Sequence, residues 1–294
     1  MTVLAALGGA VLISFSAIFF ALSATDPVVG AFFRMAYALP VLFFLWYPRR
    51  HHDRRPARRR WLAFAAGMAL GLDVATWHTS INHIGTGLAT LLANTQVLFV
   101  AVAAWLVFGE KPRRKVVASI PVVLGGVALV SGLGQADAYG ANPVLGTLLA
   151  LGAAVFYAVF LLGFRHANDA QVPPAGPLLE ATAGAAVATA VVGVIGSDLD
   201  LMPTWPEHGW LIALALAAQV AGWLAIGYAL PRLPAAETAT IILLQPSLTL
   251  VWGALIFAER PSPLQILGVI IVLAGVGFVA FTRAATPSPA KVPG

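Results

Sequence analysis

Cysteine is missing altogether from the 294 residues, which excludes disulfides and thiolate metal sites while leaving the redox compartment open. Charge is nearly as scarce: 10% of residues are Asp, Glu, Lys or Arg, where a soluble domain carries about 25%. No P-loop, dinucleotide fingerprint or zinc-ligand spacing occurs, so the sequence gives no foothold to ATP hydrolysis, a bound cofactor or a metal. Nor is there a nucleophile with a placed base, so an enzyme is not expected. What remains is apolar: 60% of the chain is hydrophobic and the mean hydropathy is +0.87.

The apolar residues fall into long runs, each about the 20 residues that a helix needs to cross a bilayer core. The first covers residues 3–22, Asp26-Pro27 breaks it, and Val28–Tyr47 makes the second. Others follow at about 61–81, 87–108, 116–133, 144–164, 176–197, 209–230, 236–257 and 264–282, giving ten. The net charge of +5 sits in the loops between them, above all in Pro48–Arg60, which holds seven arginines. Such loops favour anionic lipid at the cytoplasmic face over nucleic acid as partner. With the N-terminus inside, nearly every basic residue falls on the cytoplasmic side, while Asp26, Asp137, Asp198, Asp200, Glu207 and Glu259 fall opposite. Both termini are therefore expected in the cytoplasm of a multi-pass protein of the bacterial inner membrane.

The chain also repeats itself. The stretch Leu88–Pro112 recurs 149 positions on: Gln96 meets Gln245, Phe108 meets Phe257, Glu110 meets Glu259 and Pro112 meets Pro261. Five spans per copy turn the second copy over, and inverted repeats hold substrate near the midplane where they meet. The expected fold is an all-α polytopic membrane protein, ten transmembrane helices as two inverted five-helix repeats around a central cavity. The divisions are residues 1–138, 139–283 and a disordered tail at 284–294.

Leu244-Gln245-Pro246, Ala258-Glu259, Gln265, Gly268 and Gly275 together resemble the signature of EamA-type repeats in the drug/metabolite transporter superfamily. Over all ten spans the chain looks closest to bacterial YddG-like exporters of aromatic and other amino acids. The first copy departs from the pattern at Val97, Val116 and Ser119, where the second has Pro246, Gln265 and Gly268. The resemblance implies a secondary transporter exporting small amphipathic metabolites, most of all aromatic and other neutral amino acids, by alternating access. The alternative is a facilitative, channel-like or lipid- or drug-moving protein. A monomer or weak dimer is expected.

Polar residues inside a bilayer usually face a cavity or the bundle interior. Asp73, Trp77 and Ser80 share one helical face, with His78 and Asn82 on the next. Gln96 and Gln245 stand at equivalent places in the two copies, and an amide offers both donor and acceptor to a zwitterion. Tyr157 and Trp223 would supply apolar wall, and Glu180 a second intramembrane carboxylate, with Arg34 a possible partner. Pro246 removes a helical donor and reads as a hinge in the ninth span. Cavity candidates are therefore Asp73, Trp77, His78, Asn82, Gln96, Tyr157, Glu180, Trp223 and Gln245. If transport is proton-coupled, Asp73 is the expected carrier, with Glu180 and His78 as rivals. Glu110 and Glu259 close their spans at the aqueous boundary and are not expected to take part.

Overall fold

The computed structural model describes residues 2–108, 114–167, 173–196, 199–202, 204–229 and 235–284, and among these all regular structure is helical. Side chains from 229 to 243 lie outside this description, as do Glu110 and, of the tail expected at 284–294, all but Ala284, which is helical. The helices are α1 (Thr2–Ser14), α2 (Ser16–Ser23), α3 (Pro27–Trp46), α4 (Ala57–Ala93), α5 (Gln96–Phe108), α6 (Arg114–Val130), α7 (Pro143–Ala167) and α8 (Ala175–Gly196). They continue with α9 (Glu207–Leu214), a wide π-turn segment (Ala215–Gly222), α10 (Trp223–Ala229), α11 (Ala235–Phe257) and α12 (Pro263–Ala284).

Among the described residues, five stretches are long and apolar enough to cross a membrane: Thr2–Ser23, Pro27–His52, Pro143–Phe164, Ala175–Gly196 and Glu207–Tyr228. The protein is thus an all-α polytopic membrane protein. Val117–Val130, Leu244–Phe257 and Pro263–Phe278 are shorter apolar helices.

Local sequence sets the breaks. Ala24 closes α2 in the left-handed region (φ 50°), and Pro27 opens α3 at its first position, where a missing N–H costs nothing. Gly85 has φ +80°, which only glycine adopts freely, and α4 turns back on itself there. Helix α1 yields to α2 at Phe15, and α4 to α5 at Asn94-Thr95, where the Asn94 amide donates to Thr90 O at 2.8 Å.

Packing rests on small residues. A Cβ on Gly67 would overlap the Ala181 carbonyl, and one on Gly184 would overlap that of Phe64, so α4 and α8 cross at backbone distance. Gly126 of α6 and Gly268 of α12 face each other's carbonyl oxygens in the same way. Between helices in lipid such close contact and van der Waals packing supply most of the attraction. The larger core cluster joins Phe20, Phe33, Trp77, Ile81, Leu88 and Leu211. It lies toward the end of the bundle where loop 131–142 bonds to the α11–α12 connection. This end carries Asp26, Asp137, Glu207 and Glu259, and the other carries the arginines of residues 49–60.

Candidate functional site

A cavity of about 290 Å³ lies among α1, α2, α3, α4, α5, α7, α10 and α11. Trp77, Thr90 and Asn94 line it toward the acidic end, and Val100, Leu161 and Ile226 toward the basic end. Leu161 stands 18 residues into α7, about 27 Å along a helix that starts at the acidic end. The space therefore extends toward the arginine-rich end. Beyond Trp77 it meets the packed core, where Phe20 stacks on His78 with centroids 3.7 Å apart.

Two charges line the cavity, Arg34 from α3 and Asp73 from α4, and both residues are otherwise buried. The Arg34 guanidinium donates from Nε to Gln219 Oε1 at 3.1 Å and from Nη1 to Ser16 Oγ at 3.0 Å. Gln219 sits on the π-turn segment and in turn donates to Thr182 Oγ1 at 3.1 Å. The wide turn thus presents an amide that holds the arginine, a frequent use of π-bulges at functional sites. Asp73 forms no hydrogen bond or ion pair with any described residue. Trp77 Nε1, Thr90 Oγ1 and Gln96 Oε1 are buried without partners, and all three residues line the same space. Tyr157 and Trp223 make an aromatic wall, their rings T-shaped at 6.3 Å.

Of the residues expected at the cavity, Asp73, Trp77, Gln96, Tyr157, Trp223 and Gln245 line it, and three do not. His78 is fully buried in the core, its Nδ1 3.3 Å from Pro27 O. Asn82 is exposed near the acidic end, three residues before the turn at Gly85. Glu180 lies in the first turns of α8 at the basic end, where Arg55 Nη2 meets it at 2.8 Å and Arg60 Nε at 2.6 Å. Glu180 is therefore the partner of these two arginines and not of Arg34. Arg55 also holds Asp53 at 2.8 Å. Burial alone would raise the Asp53 carboxyl, but the hydrogen bonds and charge of Arg55 outweigh it and hold it below the usual range. Pro246 is buried within α11, which runs helical from Ala235 to Phe257. Thr249 Oγ1 contacts both Gln245 O and Ser14 O at 3.0 Å, tying α11 to the break between α1 and α2.

Glu259, expected at the aqueous boundary, is instead buried. Its Oε1 accepts from Thr86 N at 2.5 Å and Thr86 Oγ1 at 2.7 Å, and its Oε2 from Gly87 N at 3.0 Å. The carboxylate caps the helical turn that follows Gly85, where free N–H groups and the helix dipole favour an anion. Nearby, Gln265 Oε1 accepts from Tyr139 N and Ser262 N, and its Nε2 donates to Val130 O and Tyr139 O. Burial and then the Glu259 charge push the Tyr139 hydroxyl above its ordinary range. These bonds join α4, loop 131–142 and the α11–α12 connection at the acidic end. Among the described residues no three His, Asp or Glu side chains gather as a metal site.

The chain matches the EamA-like transporter family over residues 1–132 and 144–281. It is 28% identical to the threonine/homoserine exporter RhtA of Escherichia coli K12, over 87% of this chain and 84% of that protein. A probable terminal-alkyne amino-acid exporter of Streptantibioticus cattleyicolor is 25% identical over 79% of this chain and 76% of its own length. An uncharacterized transporter of Archaeoglobus fulgidus is 24% identical over 90% and 91%. A solved crystal structure superposes with a TM-score of 0.63 at 18% identity, covering 96% of this chain and 97% of the other, which speaks to the fold alone.

Proposed function

Since the chain belongs to the EamA-like transporter family, we propose that it is a secondary exporter of amino acids, working by alternating access. The observation that carries this reading is the cavity itself. It lies between helices of both halves of the chain, is sealed at the acidic end, and extends toward the basic one. With the arginine-rich loops in the cytoplasm, that is a site loaded from inside and released outside once the seal opens.

In this reading ten spans form two inverted repeats, residues 1–138 and 139–283, with both termini cytoplasmic. The two separate stretches that match the family support it, as does the pairing of Gln96 with Gln245 on one cavity. Pro246 is then the hinge of the ninth span, beside the Thr249 contact to α1. Neutral amino acids are the substrate class, supported by two relatives, one named an exporter of threonine and homoserine and one a probable exporter of a terminal-alkyne amino acid. Aromatic members, the YddG-like preference, are favoured by the wall of Trp77, Tyr157 and Trp223. Asp73 is the candidate proton carrier, since Glu180 is committed to two arginines.

The test is transport by the purified protein in liposomes, with a panel of neutral amino acids and with or without a pH gradient. Saturable flux of at least one amino acid is expected. Flux that rises without saturation, or movement of lipid alone, overturns the reading. Substrate flux with neither proton movement nor response to the gradient removes Asp73 as carrier and leaves facilitated export.

A further inference from the structure

Arg34 and Asp73 stand on the same cavity, oppositely charged and buried, yet they form no ion pair. In a low-dielectric interior two such groups attract strongly, and leaving either unpaired is costly. Something holds them apart. Gln219 and Ser16 take two of the arginine's N–H groups and anchor it on the side of α2 and the π-turn. Three of the five N–H groups of a guanidinium then remain. No described residue accepts from them, and none donates to the Asp73 carboxylate. Around this gap Trp77 Nε1, Thr90 Oγ1 and Gln96 Oε1 are also buried without partners.

We propose that the gap between Arg34 and Asp73 is the subsite for a zwitterion, with Asp73 taking the ammonium group and Arg34 the carboxylate. This deepens the exporter reading and rests on it for the class of substrate. The described lining carries one positive and one negative charge, so a ligand with one of each completes both without adding net charge to the membrane interior. An amine leaves the guanidinium unanswered, and a carboxylic acid leaves Asp73 unanswered. A site built to bond a group rejects the analogue that lacks it, because its own buried partner is stranded. Gln219 is the positioning residue: without its amide oxygen, Arg34 is free to swing onto Asp73 and close the gap.

The test uses the purified full chain and two ligand series. One is phenylalanine, 2-phenylethylamine and 3-phenylpropionate; the other is threonine, 1-amino-2-propanol and 3-hydroxybutyrate. Binding is read by ligand-dependent shift of the melting temperature in detergent, and flux separately in liposomes. At least one amino acid should bind roughly ten-fold or more tightly than both of its single-charge analogues. Asp73→Asn should erase the preference over the acid and keep that over the amine; Arg34→Gln should do the reverse. If neither amino acid outbinds its two analogues in wild type, the inference fails, whether or not the variants fold. Folded variants that keep the wild-type ranking, or weaken all ligands alike, overturn it too. Tight, charge-selective binding without any flux would instead sink the exporter reading and leave the subsite standing.

Discussion

Two glutamates tie distant parts of the chain together, one at each end of the bundle, and they do so by different chemistry. At the acidic end Glu259 is buried and held by two backbone N–H groups and a hydroxyl. At the basic end Glu180 is held by Arg55 and by Arg60, whose side chain is 47% exposed. Neutral, fixed donors satisfy a carboxylate without a counter-ion, and they are insensitive to salt. The Arg60 pair, with one partner in water, is screened and contributes little, so only the Arg55 contact, 1% exposed, is sheltered from solvent. The difference gives the bundle one firm end and one yielding end. In the alternating-access cycle proposed above, each turnover has to break the firm end.

The largest effect should therefore come from Glu259→Ala, which strands three donors at once. Each buried unsatisfied donor costs about 1–3 kcal/mol. The seal should loosen before the fold is lost. The chain has no cysteine, so a single one can be placed at Val97 on the cavity. Impermeant thiol reagent should reach it from the basic side only in the wild-type background, and from both sides after Glu259→Ala. Equal labelling from both sides without the mutation would dissolve the contrast between the ends. Gln265→Leu comes next: it removes four hydrogen bonds from the same end, and solvent can replace some in the loops. The melting temperature in detergent should fall, with a smaller gain in labelling from the acidic side.

Much of this is legible in the sequence. The helix i, i+4 rule put Asp73 and Trp77 on one face, and both line the cavity. The repeat put Gln96 and Gln245 at matching places, and they meet the same space. His78 follows Trp77 directly, so its ring turns away from the cavity onto Phe20, a partner 58 positions off in sequence that no spacing announces. Glu180 lies five residues into its helix, close enough to the water boundary for the arginines of another loop to reach it. Arg34 was seen as a charge needing a partner, but the amide that positions it comes from a π-turn, which leaves no periodic trace. Glu259 misled because its neighbours Arg260 and Pro261 look like a solvated loop. What buries it is the glycine turn 85–87, in the other half of the chain.

At the yielding end the effects should be modest. Glu180→Gln removes the charge that Arg55 and Arg60 share, while Arg55 keeps Asp53. The pair with exposed Arg60 is worth about 0–1 kcal/mol, and the buried Arg55 guanidinium is not stranded, because Asp53 stays on it at 2.8 Å. The melting temperature should therefore move little, and raising salt from low to molar concentration should shrink the difference from wild type further. A salt-independent loss as large as that of Glu259→Ala would mean that both ends are equally firm.

The smallest expected effect is a pH dependence, and its sign follows from Asp53. Arg55 holds this carboxyl below its usual range in the folded protein, whereas in the unfolded chain it titrates near ~3.9. The unfolded state then binds the proton first as pH falls. The contribution of the Asp53–Arg55 pair is complete above the unfolded value and is lost as pH drops through the lower folded one. Asp53→Asn cannot titrate, so the gap in melting temperature between wild type and variant should be constant from pH 7 to 5. Below about pH 4 it should narrow, as the wild-type carboxyl takes up its proton. If the gap for Asp53→Asn instead widened on acidification, Asp53 would be stabilised in its protonated form. The basic end would then be held by something other than the charge of Arg55.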